Sequence, residues 1–242
     1  MGASNASPAT NLATSLVTRL ARRVARRVAR RVATVVACSV ALAAAASTSD
    51  AATISGVVTD GAGKPVADAV VFIDQPVAQA SASTPKATMD QIDKTFVPGV
   101  LPIVVGTSVS FPNHDQIHHH VYSFSRTKTF ELPLYKGTDA SPVLFDKVGV
   151  VKVGCNIHDW MSGIILVLPT RWFARTGRDG RFTIENVPDG EHKVVAWHEH
   201  SKQKPEDVAR SVQASGTAEA SFTLTISTPR ARPAVRGSRR DP

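Results

Sequence analysis

Cys155-Asn156-Ile157-His158-Asp159-Trp160-Met161 places a thiol, an imidazole and a thioether on one seven-residue stretch. A second imidazole, His119, stands 36 residues upstream in a run that reads as another strand. Soft sulfur donors suit Cu(I), and imidazoles suit both Cu(I) and Cu(II). Two imidazoles, a thiolate and a weak thioether therefore form a donor set that tolerates a one-electron change with little rearrangement. His118, His119 and His120 are consecutive. On a strand, His119 points one way and its neighbours the other. The reading takes His119 as the ligand and expects His118 and His120 on the solvent side.

The spacing resembles that of a known family. From Gly106 to Val167 the chain is similar to the cupredoxins, most closely the amicyanin and pseudoazurin type, which carry C-x2-H-x2-M. Phe145, Gly149 and Cys155 reproduce F-x3-G-x5-C. Ser162–Val167 resembles the closing strand, and Gly106–Phe111 the strand before the first ligand. Asn113 keeps the family's six-residue interval to His119. The resemblance implies a Greek-key copper domain over 82–170 and one type 1 copper held by His119, Cys155, His158 and Met161. It also implies a transient redox protein partner docking at the His158/Trp160 surface. Two departures stand out. His120 occupies a position that is usually asparagine, and Ile157 and Asp159 flank His158 where proline is common. The runs HHHVYSFS and FDKVGVVKVGCNIHDWM also resemble bacterial chains labelled methylamine utilization proteins.

The 242 residues suffice for one large or two small domains. Net charge is +8, but residues 1–51 hold seven arginines and 229–242 hold five. Without both ends, 16 basic and 18 acidic residues remain. The basic balance thus gives the core no reason to bind nucleic acid, and 229–242 reads as a disordered basic tail. The only cysteines are Cys38 and Cys155. If Cys38 leaves with a targeting segment, Cys155 is a lone thiol in an exported protein, which ligation would occupy.

Residues 33–46, ATVVACSVALAAAA, are long enough for a signal-peptide core and too short for a membrane span. Residues 1–51 read as a signal peptide with an extended Arg-rich lead, cleaved near Ala51. The mature chain is then periplasmic with no membrane span. Val35-Val36-Ala37-Cys38 also resembles a lipobox, the basis for a minor alternative of lipoprotein anchoring at Cys38.

Two outer segments carry a second pattern. Thr53–Ile73 has alternating valines around a Gly-rich turn at Asp60–Pro65, a hairpin signal. Residues 77–87 read as a linker or mobile loop. After the metal loop, Asp179-Gly180 and Pro188-Asp189-Gly190 punctuate strands with Phe182, Ile184 and Val187 on one side, and Ala218–Ser227 reads as a last strand. Gly56–Val70 and Asp179–Gly190 resemble two halves of one carboxypeptidase regulatory-like domain, a small transthyretin-like β-sandwich. The fold expected is all-β: a cupredoxin sandwich (82–170) inserted into that second sandwich (53–76 and 172–228).

No HExxH, GxSxG or triad pattern appears, so no enzyme is expected. His198 and His200 flank Glu199 and could chelate a surface metal or form a solvated strand end. The leading function is an exported one-electron carrier. The alternatives are a periplasmic copper carrier or sequestration protein, and an envelope binding module with a vestigial copper site.

Overall fold

Short valine-rich segments separated by Gly, Pro and Asp favour strands over helices. In a computed structural model of the chain, residues 51–76 and 84–227 are described. Eighteen strands run in order: β1 (Ala52–Asp60), β2 (Val70–Ile73), β3 (Lys86–Thr88), β4 (Asp90–Ile92), β5 (Thr95–Val97), β6 (Val100–Val104), β7 (Thr107–Ser110), β8 (His119–Ser125) and β9 (Lys128–Tyr135) come first. Then follow β10 (Val143–Phe145), β11 (Gly149–Gly154), β12 (Ser162–Leu168), β13 (Phe173–Arg175), β14 (Arg181–Val187), β15 (Gly190–Trp197), β16 (Arg210–Ala214), β17 (Thr217–Glu219) and β18 (Phe222–Leu224). One helical turn, α1 (Pro205–Val208), is the helix among the described residues. The fold is all-β. The signal-peptide, Cys38 and basic-tail expectations lie outside the described residues.

Strands from residues 86–168 make a five-stranded sheet, β6-β12-β11-β8-β9, a three-stranded sheet, β10-β7-β3, and the separate β4-β5 hairpin. Side chains from both larger sheets meet in one core: Val109 and Phe145 from one, Val121, Val151, Val153, Ile165 and Val167 from the other. Strands from 52–73 and 173–224 pair only among themselves. One sheet is β14-β1-β17 with β18 also on β1, and the other is β13-β2-β15-β16. Their core includes Ile54, Val58, Val71, Ile73, Phe182, Ile184, Val194 and Phe222.

A third apolar layer joins the two sets. Val70, Phe72 and Val195 pack with Val100, Ile164, Leu166 and Leu168. Alternate residues of β2 therefore enter different cores, and all four are buried. β12 behaves alike, with Ile165 and Val167 facing the inner core and Ile164, Leu166 and Leu168 the shared layer. An uninterrupted apolar run suits a strand covered on both faces. Each such side chain contributes about 1.5–3 kcal/mol of burial.

Three expectations need correction. Thr53–Ile73 is not a hairpin. Asp60–Lys64 does turn tightly, with Asp60 N–H donating to Lys64 O at 2.8 Å and Val66 N–H to Val58 O at 2.9 Å. The return ends at the single Thr59–Pro65 bridge, and β2 then crosses to the other sheet. Pro65 has no N–H to extend a ladder, and β2 needs apolar cover on two sides. Second, the 77–87 linker stops short of its expected end. Lys86–Thr88 pairs in parallel with Ser108–Ser110, and Ala87 packs on the core. Third, Ala218–Ser227 is two short strands on the same edge of β1. They break where Ala220 crosses Gly56, and a Cβ there would sit 1.9 Å from Ala220 O. Phe182, Ile184 and Val187 are all buried despite their uneven spacing. A bulge with Asn186 at φ 57° absorbs the extra residue.

Candidate metal centre

Two neighbouring strands and one loop assemble the donors. His119 opens β8, and Cys155 follows the end of β11. The loop from Cys155 closes on itself: Met161 N–H donates to His158 O at 2.9 Å, and Cys155 N–H donates to Met161 O at 3.1 Å. These bonds turn His158 back toward Cys155. Cys155 Sγ lies 3.8 Å from His119 Nδ1 and 3.6 Å from His158 Nδ1. Among the described residues, His119, Cys155 and His158 form the group whose donor atoms all lie within 4.8 Å of one another. His119 and Cys155 are buried, and His158 is half-buried. Met161 is buried in the same core as Cys155.

The donor set fits a thiophilic metal. Sulfur at about 2.3 Å and nitrogen at about 2.0 Å from one ion in a trigonal plane would be roughly 3.7 Å apart. The two Sγ–Nδ1 separations bracket that value. Two nitrogens, one thiolate and a nearby methionine match a copper site better than a hard-cation site, which needs oxygens.

The surroundings fix which nitrogen faces the sulfur. His119 Nε2 is 2.7 Å from Asp115 Oδ2. A carboxylate only accepts, so the ring proton sits on Nε2 and Nδ1 keeps its lone pair. Burial raises the pKa of Asp115. The hydrogen bonds from His119, Lys94 N–H and Asp93 N–H outweigh it and hold the group below the ordinary carboxylate range. Burial, and behind it the charge of Lys94, holds His158 below the usual histidine value, against an opposing pull from Asp115. The net shift favours the neutral, ligating form of His158.

The loop before His119 is held by buried amides. Asn113 Nδ2 donates to Ile117 O at 2.9 Å and to Tyr135 O at 3.0 Å, while its Oδ1 accepts Asp115 N–H at 3.0 Å. Gln91, fully buried, donates through Nε2 to Phe111 O at 3.0 Å and Tyr135 Oη at 2.5 Å. Burial pushes the Tyr135 phenol up to about 12, so its hydroxyl remains a donor to Phe111 O.

His118 is exposed, as expected. His120 is not on the solvent side. It is buried, its Nε2 donates to Glu131 Oε1 at 2.8 Å, and its ring packs beside Tyr122. Alternation along β8 holds, since the extra residue of the β8-β9 bulge lies in β9; His120 shares the outer face with Tyr122 and is buried beneath Tyr122 and Glu131. His198 and His200 lie in a turn after β15, where His198 Nδ1 accepts His200 N–H at 3.1 Å. Sequence reasoning missed Asp115, Gln91 and Tyr135. Asp115 precedes His119 by four residues, and that spacing was the available signal.

No protein-family model and no curated protein matches the chain. Solved structures do align. One is a Cu-containing nitrite reductase (NirK) from Thermus scotoductus SA-01, at 29% identity over 38% of this chain and 25% of that one, with a TM-score of 0.33. A purple cupredoxin from Nitrosopumilus maritimus aligns at 26% identity over 34% of this chain and 98% of its own, with a TM-score of 0.30. A reduced amicyanin variant aligns at 21% identity over 41% of this chain and 98% of its own, with a TM-score of 0.32. The chain thus spans a quarter of the nitrite reductase and nearly all of the two small proteins.

Proposed function

We propose that this chain is an exported cupredoxin-type electron carrier with one type 1 copper held by His119, Cys155, His158 and Met161. The observation that carries the reading is the convergence of both Nδ1 atoms on Cys155 Sγ, at 3.8 and 3.6 Å. Copper bound there supplies a one-electron couple. The chain keeps His119 and Cys155 dry and leaves His158 at the boundary. Ile157 and Trp160, each about half exposed, flank it, and the Trp160 ring lies 5.4 Å from that of His158. This apolar rim suits a brief contact with a redox protein. No helix among the described residues is long and apolar enough to cross a membrane. Export and a periplasmic location rest on the signal-like residues 1–51.

We also read the strands from 52–73 and 173–224 as a regulatory-like scaffold into which the copper domain is inserted. Deleting 80–170, joining the ends with a short Gly/Ser linker and replacing the uncovered Val70, Phe72 and Val195 with threonine should leave a soluble β-domain, and an unfolded product alongside a 53–170 fragment that folds and binds copper alone would refute the nesting.

The test of function is an optical and EPR spectrum after Cu(II) addition. Intense thiolate-to-copper charge transfer, lost in Cys155→Ser with the fold retained, supports the carrier. A protein that stays colourless under oxidant refutes it. One that holds Cu(I) and yields it to an acceptor is a copper carrier instead.

A further inference from the structure

We propose that Asp115 is the positioning residue of this centre: its carboxylate accepts a hydrogen bond from His119 Nε2–H and so aims the Nδ1 lone pair at Cys155. The redox consequence rests on the copper reading, but the geometry does not. His119 is wholly buried, and Asp115 Oδ2 stands 2.7 Å from its Nε2. Without an acceptor there, the other tautomer would turn a proton toward the sulfur.

Asp115 is itself held on every side. Oδ1 accepts Asp93 N–H at 2.7 Å, Oδ2 accepts Lys94 N–H at 2.8 Å, and its own N–H donates to Asn113 Oδ1 at 3.0 Å. Asp93 and Lys94 are the two central residues of the β4-β5 hairpin, with φ of 52° and 56°. A two-residue loop with both φ positive is the type I′ turn, which normally takes Asn-Gly or Asp-Gly. Here a lysine occupies the left-handed second position. The resulting backbone presents two successive N–H groups to one carboxylate. The hairpin is tied to the ligand loop elsewhere too. Gln91 N–H donates to Pro112 O and His114 N–H to Gln91 O, each at 3.0 Å, and His114 Nδ1 reaches Asp90 Oδ1 at 2.7 Å. The turn, the carboxylate and the imidazole thus form one chain of hydrogen bonds that ends at His119, whose Nδ1 faces the sulfur.

A carboxylate behind a ligating imidazole strengthens it as a donor. Its negative charge favours Cu(II) over Cu(I) and lowers the reduction potential relative to a neutral acceptor. Asp115→Asn tests the charge. The amide oxygen can keep the place facing both His119 and Lys94, because the reverse orientation would set the NH2 against two donors instead of one.

The experiment has two arms. Long-range 15N–1H NMR of the metal-free protein near neutral pH reads the His119 tautomer. The wild type should be protonated at Nε2, and Asp115→Ala should give a mixture. A wild-type proton on Nδ1, or an unchanged tautomer in Asp115→Ala, overturns the proposal. Voltammetry of the copper form reads the charge. Asp115→Asn should shift the potential upward, by about 59 mV for each tenfold loss of Cu(II) preference. Asp115→Ala should bind Cu(II) about 10–100-fold more weakly. An Asp115→Asn potential equal to wild type overturns the charge role. If the wild type takes up no copper, the carrier reading fails while the NMR arm still decides the clamp.

Discussion

Asn113→Ala should cost this protein about 3 kcal/mol, because three hydrogen bonds at about 1 kcal/mol each disappear with one side chain. The amide is almost fully buried, and it joins Ile117 O, Tyr135 O and Asp115 N–H. Of these, the Tyr135 carbonyl has least access to replacement water. The assay is urea unfolding of the metal-free protein, followed by tryptophan fluorescence and far-UV circular dichroism. With a slope of about 2 kcal/mol per M, the midpoint should fall by about 1.5 M. Coincident curves from the two probes are required for that conversion. Asn113→Asp supplies the control. It keeps the acceptor for Asp115 N–H but turns a carboxylate oxygen toward two carbonyls, so it should be at least as damaging as alanine. A midpoint within about 0.3 M of wild type for Asn113→Ala, or a milder effect from aspartate, would show that Nδ2 does not hold the ligand loop.

Thr176→Val should cost about 2–4 kcal/mol, because Thr176 Oγ1 donates to Val66 O at 2.7 Å and accepts Ala69 N–H at 2.9 Å, and the swap orphans both buried groups; unchanged thermal stability would mean water reaches them. If copper binds as proposed, Met161→Leu should keep the thiolate-to-copper band and raise the potential, since losing a thioether donor would disfavour Cu(II) more than Cu(I); an unaltered spectrum and potential would make Met161 a packing residue only. Burial, then His200, holds the His198 pKa below its usual value. The unfolded chain therefore takes up that proton first, and wild-type stability falls as pH drops from about 6.5 through the lower folded value. His198→Asn should show a smaller decline in melting temperature between about pH 7 and 5, and parallel profiles would contradict the assignment.

The metal loop was legible because its donors are local. Cys155, His158 and Met161 need only one short loop, and only His119 comes from afar. Short valine-rich segments and their turns likewise announced an all-β chain. What the sequence hid was nonlocal. Val70–Ile73 and Ile164–Leu168 have no polar alternation, so nothing in them told which neighbour covers each face. The Thr53–Ile73 hairpin failed for that reason. His120 is covered by Glu131 of the neighbouring strand, and no local spacing encodes which side chain closes over it. Asp93-Lys94 lacks the glycine that usually marks a left-handed turn, so its grip on Asp115 was invisible.

The pairing of β1 has a consequence for the order in which this chain can be made. Beyond the local Thr59–Pro65 bridge, every strand that pairs with β1 comes late: Ile54 meets Ile184 and Ala218, and Val58 meets Phe222. A polypeptide emerging N-terminus first exposes Ala52, Ile54 and Val58 long before Phe182, Ile184 and Phe222 can complete their cover. Residues 86–168 meanwhile find their strand partners among themselves, so the half that carries His119 and Cys155 can assemble while the first strand still waits. Closing so long a loop costs little extra equilibrium free energy but slows assembly. Until residues 217–224 appear, β1 keeps an open edge, and the same strand of a second copy competes for the vacancy.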